Sequence, residues 1–238
     1  MNNIKNIFLR ELSSFFHSPM AYIFLVVFVV VNSFFFTNIF FKVNQSDLRT
    51  LFNIIPMVYL FFIPAICMGL IAKENNMGTM EVITTLPITE SQLVFGKFLS
   101  ALTLIFIGLL FTMVQFFTLV QTGTDIDYGA LFSGYLGLLF VGAAYSAIGI
   151  FASSLSKDQI VAFIIGVFLV VIFYLMDKTI LFFTPAFMAS TVQYIAIDYH
   201  LANISRGVID SRNIIYFLSI ISFFLFITIR VVESRKWK

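Results

Sequence analysis

Few residues in this 238-residue chain are equipped for chemistry. It holds two histidines, His17 and His200, and one cysteine, Cys67. One cysteine excludes a disulfide framework, a CxxC metal site and a thiol redox pair. Asp198 and His200 stand close in sequence, but an isolated acid/base pair does not define a catalytic site, and both read as solvated charges. Gly96-Lys97 ends like a phosphate loop, yet position 91 is Ser rather than Gly and Phe98 follows the lysine, so no nucleotide site is visible. Cys67 sits in an apolar run and reads as a small core residue. These residues therefore predict a chain that is not an enzyme and that binds no cofactor of its own.

The remaining polar candidates are neutral and lie within long apolar stretches. Asn32, Ser33, Thr37 and Asn38 share one stretch, and Thr112, Gln115 and Thr118 share another. Such groups either line a path for an amphiphilic substrate, in which case Asn32, Thr37, Thr112 and Gln115 would be its polar contacts, or hydrogen-bond a neighbouring helix, their commoner use in lipid. No stretch holds an Asp, Glu, Lys or His in its interior. Ion- and proton-coupled carriers usually need such groups, so their absence counts against secondary transport.

The elements that must position these residues follow from composition. Hydrophobic residues make up 60% of the chain and charged ones 11%, with mean hydropathy +1.01. A soluble domain of this length cannot hide that much apolar surface, because each of its helices needs a wetted face. A net charge of +2 leaves no basic footprint for nucleic acid. The charges fall in clusters, separated by stretches that approach or exceed the 20 or so apolar residues needed to cross a bilayer. The expected fold is thus an all-α integral membrane protein, a single domain over 1–238 with spans at about 21–41, 51–72, 98–119, 130–155, 159–176 and 214–232. Nine of the fourteen Lys and Arg fall on the side of the chain termini and five on the other. This predicts cytoplasmic N- and C-termini.

Three segments outside the spans carry further signals. Residues 3–17 place Ile4, Ile7, Phe8, Leu12 and Phe15 at helical spacing, opposite Asn6, Arg10, Ser13, Ser14 and His17, with Glu11 interrupting the apolar stripe. The pattern predicts an interfacial helix that either contacts a cytoplasmic partner or simply anchors the chain. In the segment 73–97, Gly78 breaks the preceding helix, Thr79–Thr85 can form a short transverse helix, and Pro87 stops it. Thr89-Glu-Ser-Gln92 is a capping box, with Ile88 and Leu93 placed for a hydrophobic staple. Met80, Ile83 and Leu86 would share an apolar face with Glu81 beside it, so the short helix either docks a partner or dips into the lipid interface. Residues 177–213 are too charged for a span and too apolar for a free loop. They predict external or half-inserted helices interrupted near Pro185 and Gly207. In the spans, small residues from Gly134 to Ser153 predict close helix packing, within the subunit first and at a dimer face as the second reading, and Ala162 and Gly166 give the fifth span a small-residue face that would meet a second copy if the chain pairs.

Taken together, Glu11-Leu12…Ser18-Pro19, Lys73-Glu74…Gly78-Thr79-Met80-Glu81…Leu86-Pro87…Gly96-Lys97, Gly149-Ile-Phe-Ala-Ser-Ser-Leu-Ser-Lys-Asp-Gln159 and Ser205-Arg206-Gly207-Val208-Ile209-Asp210 resemble the ABC-2 type exporter permeases. Within that family they look closest to the permease associated with bacterial gliding motility and its homologues. The resemblance implies a six-span subunit of an ATP-driven exporter in the bacterial inner membrane. It would pair with a second permease and bind two copies of a separate ATPase subunit, which would hold the ATP and magnesium. It implies that the helix containing Gly78, Thr79, Met80, Glu81, Ile83, Thr84 and Leu86 is the coupling helix docking in the ATPase. It further implies that the N-terminal helix, through Phe8, Arg10, Glu11 and Phe15, touches the same partner, and that the segment before the last span forms external re-entrant helices. It implies no particular substrate. The alternative is a membrane scaffold that anchors a motility or secretion apparatus without transporting anything. In either case apolar span faces would suit rigid-body sliding, with no buried salt bridge to break.

Overall fold

The computed structural model describes residues 2–43, 49–80, 87–122, 127–183, 193–208 and 210–234. Helix α1 (Asn2–His17) precedes α2 (Pro19–Val43), α3 (Arg49–Asn76), α4 (Glu90–Thr122), α5 (Tyr128–Leu155) and α6 (Gln159–Phe183); a short α7 (Ile197–Ile204) leads into α8 (Ser211–Ser234). Six of these, α2 to α6 and α8, are long and apolar enough to cross a membrane. The fold is the all-α membrane architecture that the apolar stretches predict.

Local chemistry explains the boundaries. The Ser18 hydroxyl caps the end of α1 by donating to the Phe15 carbonyl, and Pro19 starts α2, where a missing amide hydrogen is harmless. The capping box forms as read: the Gln92 amide donates to Thr89 Oγ1 at 3.4 Å, and the Gln92 side chain accepts from the Thr89 amide at 3.3 Å. Asp127 caps α5 by accepting from the Ala130 amide, and Asp158 and Asp210 accept from the Ile160 and Arg212 amides. Helices α3 and α4 run further than the charge-free stretches that announced them, to Asn76 and back to Glu90. A helix need not stop where lipid does. Backbone hydrogen bonding continues through a charged turn once a neighbour packs against it.

Helix α5 is the most enclosed span, α3 and α4 follow, and α2, α6 and α8 keep broad outward faces. The small residues of α5 bring its neighbours close. A Cβ on Gly149 would lie 2.8 Å from Cys67 Cβ on α3, and one on Gly142 2.9 Å from Ile105 Cγ2 on α4. The close packing expected of this stripe is therefore internal. The fifth span corrects another expectation. Ala162 is buried, and a Cβ on Gly166 would sit 3.2 Å from Pro64 Cβ and 3.5 Å from Ala152 Cβ, so this face packs within the subunit. The exposed face of α6 is instead large and apolar, with Ile160, Ile164 and Phe168 outward.

Helix α3 runs through two prolines, Pro56 and Pro64. Past Pro64, the Ser153 hydroxyl from α5 donates to the Met68 carbonyl at 2.8 Å and accepts from the Ile71 and Ala72 amides at 3.1 and 3.0 Å. Helix α3 is unbroken there, so the hydroxyl bonds backbone groups within a continuous helix and ties α5 to it.

Candidate functional site

Four charged side chains meet where α1 crosses the end of α3 and the start of α4. Lys97 is fully buried, and its Nζ lies 3.1 Å from Glu11 Oε1 and 2.8 Å from Glu74 Oε1. Arg10 reaches the same two oxygens, at 2.6 and 3.0 Å. Two cations and two carboxylates therefore alternate in a neutral square, with Arg10 half exposed and Lys97 sealed beneath it. The arrangement depends on close approach: a Cβ on Gly96 would come within 2.7 Å of Ile7 Cγ2, so only glycine lets α1 lie this near α4.

The electrostatics follow from the geometry. Burial alone would push the Glu11 carboxyl up. The Lys97 charge, with hydrogen bonds from Arg10 and Lys97, outweighs burial and holds it below its ordinary value. Burial likewise opposes the Arg10 charge, but the hydrogen bond to Glu11 and the two carboxylate charges hold the guanidinium above its ordinary value. Glu74 Oε2 is buried with no hydrogen-bond partner among the described residues, which leaves the square one acceptor short of full satisfaction.

The square brackets the segment that the resemblance assigns to partner docking. Glu74 lies four residues before Gly78, whose φ of +67° turns the chain out of α3. On the far side, Asn3 donates to the Pro87 carbonyl at 3.3 Å and to Gln92 Oε1 at 3.2 Å, pinning the re-entry into α4 to α1. Thr79 Oγ1 donates to the Glu74 carbonyl, and Met80 is buried. Glu81, Ile83, Thr84 and Leu86 lie outside the described residues. On α1, Phe15 is buried and Phe8 partly so, whereas Arg10 and Glu11 are engaged inside the chain. Glu11 thus does not break the amphipathic stripe by accident: it faces Lys97. Nothing in the sequence places Lys97 or Glu74 in a site, because Lys97 reads as an ordinary loop cation. The pairing needs three elements from distant parts of the chain. It also corrects the expectation that no buried ion pair links the helices.

The neutral polar residues are distributed differently. The Asn32 side chain donates to the Phe28 carbonyl of its own helix at 2.7 Å. Gln115 donates to Ser33 Oγ at 3.1 Å, joining α4 to α2, and Thr112 meets the Tyr135 hydroxyl, joining α4 to α5. Thr37 is exposed on α2. Asn32, Thr112 and Gln115 are buried, and the Asn32 and Gln115 carbonyl oxygens have no partner among the described residues. Gln115 and Thr112 thus serve as interhelical pins, whereas Asn32 bonds within its own helix.

At the opposite end of the bundle His200 is fully buried, which corrects its reading as a solvated charge. Its Nε2 donates to the Tyr194 carbonyl at 2.8 Å and its Nδ1 pairs with Asn213 Oδ1 at 2.7 Å. The ring stacks on Tyr216 with centroids 3.8 Å apart. It is a structural tie between α7 and α8, and the face of an aromatic cluster takes the place of water around it.

Six apolar helices, an amphipathic helix clamped beside them by buried charge and polar groups used as helix pins define a multi-pass membrane protein with no assembled acid/base centre among the described residues. Residues 6–233 match the model of the ABC-2 family of transporter proteins. The match covers nearly the whole chain, and the chain belongs to that family. No curated protein matches the sequence.

Proposed function

We propose that this chain is the membrane-spanning subunit of an ATP-driven exporter, with ATP hydrolysed on a separate ATPase subunit that docks on residues 78–86 and on the outer face of α1. The observation that carries the reading is the Lys97 square. It joins α1, α3 and α4 at the two roots of the 78–86 segment, so a push on that segment is delivered to three helices as one body. The exposed part of α1, including Leu9 and Lys5, lies on the same assembly and offers the partner a second contact. A ligand shifts a two-state equilibrium only through its different affinity for the two states. ATP on the partner can therefore move the spans only through contacts such as these. Two such subunits would form the conduit, each with its own ATPase, and the link to gliding motility rests on the resemblance.

The test is co-purification of the ATPase partner with the full-length chain in detergent, together with ATP hydrolysis that depends on this chain. Glu81→Lys and Ile83→Asp lie beyond every span and should leave membrane insertion intact. Each should weaken partner binding by about a kcal/mol or more. Full retention of co-purification and of chain-dependent hydrolysis by both variants would reject this segment as the coupling element. An ATPase that binds normally but never hydrolyses ATP in response to the chain would favour the scaffold reading instead.

A further inference from the structure

At the end of the bundle opposite the Lys97 square, α7, the turn after it and the start of α8 border a half-open cavity of about 320 Å³. Tyr194, Tyr199, Asn203, Arg206, Arg212 and Asn213 line it. We propose that this cavity is a binding site for a phosphate-class oxyanion, presented either by a lipid headgroup or by a soluble molecule. Nothing in the export reading requires it, and it stands on separate residues.

Four observations carry the proposal. First, two arginines line the cavity, and neither has a carboxylate within ion-pair distance among the described residues. Second, the lining holds one acid, Asp210, whose Oδ1 accepts from the Arg212 amide at 2.9 Å, and two arginines outnumber it. The cavity therefore carries net positive charge and an excess of donors, and guanidinium forks match the oxygens of a phosphate in pairs. Third, the walls are held in place. Buried His200 bonds the Tyr194 carbonyl on one side and the Asn213 side chain on the other, and the Tyr216 hydroxyl donates to the Ile195 carbonyl behind them. Two lining residues are thus fixed by a single ring before any ligand arrives, which lowers the ordering needed on binding. Fourth, the volume suits a headgroup-sized ligand, near the lower bound for small-molecule pockets. The rim is apolar, with Val208 exposed beside the cavity and Ile215 and Leu218 exposed on the next turns of α8. A headgroup could therefore enter with its chains lying along α8.

The test uses the purified full-length chain in neutral-lipid nanodiscs and reads thermal stabilisation and direct binding. One arm adds glycerol 1-phosphate to the solution. The other replaces a fraction of the neutral lipid, a phosphate-free digalactosyl diacylglycerol, with phosphatidylglycerol. The wild type should be stabilised in at least one arm, and the Arg206→Gln/Arg212→Gln variant should bind roughly tenfold or more weakly in that arm. Both arginines are exposed, so the unliganded variant should melt close to the wild type, which separates lost binding from lost folding. A response to phosphatidylglycerol alone identifies a lipid headgroup, and a response to glycerol 1-phosphate identifies a soluble ligand. If neither arm distinguishes the wild type from the double variant, the site is refuted. Co-purification with the ATPase is unaffected by either result, so this failure and that of the export reading are distinguishable.

Discussion

At the scale of single residues, Lys97 is the most exacting position in the chain. Its ammonium is 1% exposed and faces two carboxylate oxygens that Arg10 also shares. Lys97→Met would leave Glu11 and Glu74 together with one half-exposed cation. Removing one partner of a buried ion pair typically destabilises by about 3–5 kcal/mol, and denaturant unfolding in micelles should show a loss of that order. The double variant Lys97→Met/Glu11→Gln should recover part of it, because the residues act as a unit. Glu11 also makes a pH prediction. Its folded carboxyl titrates below the ordinary value of 4.5. Its contribution is therefore complete above that value and is lost as pH falls through the lower folded one. Melting temperature measured from neutral pH to well below 4.5 should fall more steeply for the wild type than for Glu11→Gln. Parallel curves would remove Glu11 from the square's energetics.

At the scale of elements, the informative contacts are those between α3 and α5. Pro64 lies inside α3 near its middle, the Ser153 hydroxyl bonds its backbone nearer the end, and the glycine face of α5 holds the helix close. Ser153→Ala removes a hydroxyl that bonds the Met68 carbonyl and the Ile71 and Ala72 amides, at about 0.5–1.5 kcal/mol for a typical hydrogen bond. Hydrogen exchange should then speed up at Ile71 and Ala72 while amides in α8 keep their protection. Equal protection in both variants would show that α3 closes its own ladder without the hydroxyl. Gly149→Ala attacks the same contact from the other side. Its methyl would lie 2.8 Å from Cys67 Cβ, and such overpacking destabilises by roughly 1–3 kcal/mol. The additional change Cys67→Ala vacates only the sulfur, so it should not restore the loss; the clash is with the β-carbon.

At the scale of the molecule, two properties remain to be measured, orientation and assembly. Single cysteines at Ser46, Thr124 and Ser234 in a Cys67→Ala background should label with an impermeant thiol reagent in intact cells at the first two positions and not at the third. The opposite pattern would invert the chain. For assembly, the exposed apolar faces of α2, α6 and α8 offer far more surface than the small-residue face of α6, which is already used. Cysteines at Ile160, Ile164 and Phe168 should therefore cross-link between copies, and cysteines at Ala162 and Gly166 should not. An active, ATPase-competent complex with one copy of this chain would end the two-subunit reading.

Six spans, the capping box at Thr89–Gln92, the proline start of α2 and the breaks at Gly78 and Gly207 were all legible in the sequence. Each rests on short-range physics: apolar length against bilayer thickness, a side chain reaching a nearby amide, a backbone angle only glycine takes freely. The use of the small residues in α5 was also legible as close packing, though which neighbours they receive was not. Lys97, Glu74 and Glu11 read separately as a loop cation, a loop acid and a flaw in an amphipathic stripe, and His200 read as solvated. Lys97 meets its carboxylates 23 and 86 positions away, and His200 meets Tyr194 and Asn213 at 6 and 13 positions; only the packing of α1 against α3 and α4, or of α7 against α8, brings those partners within hydrogen-bonding reach. Burial of a charge is a property of the surroundings, so tertiary structure alone decided that a lysine in the first turns of α4 would be sealed inside.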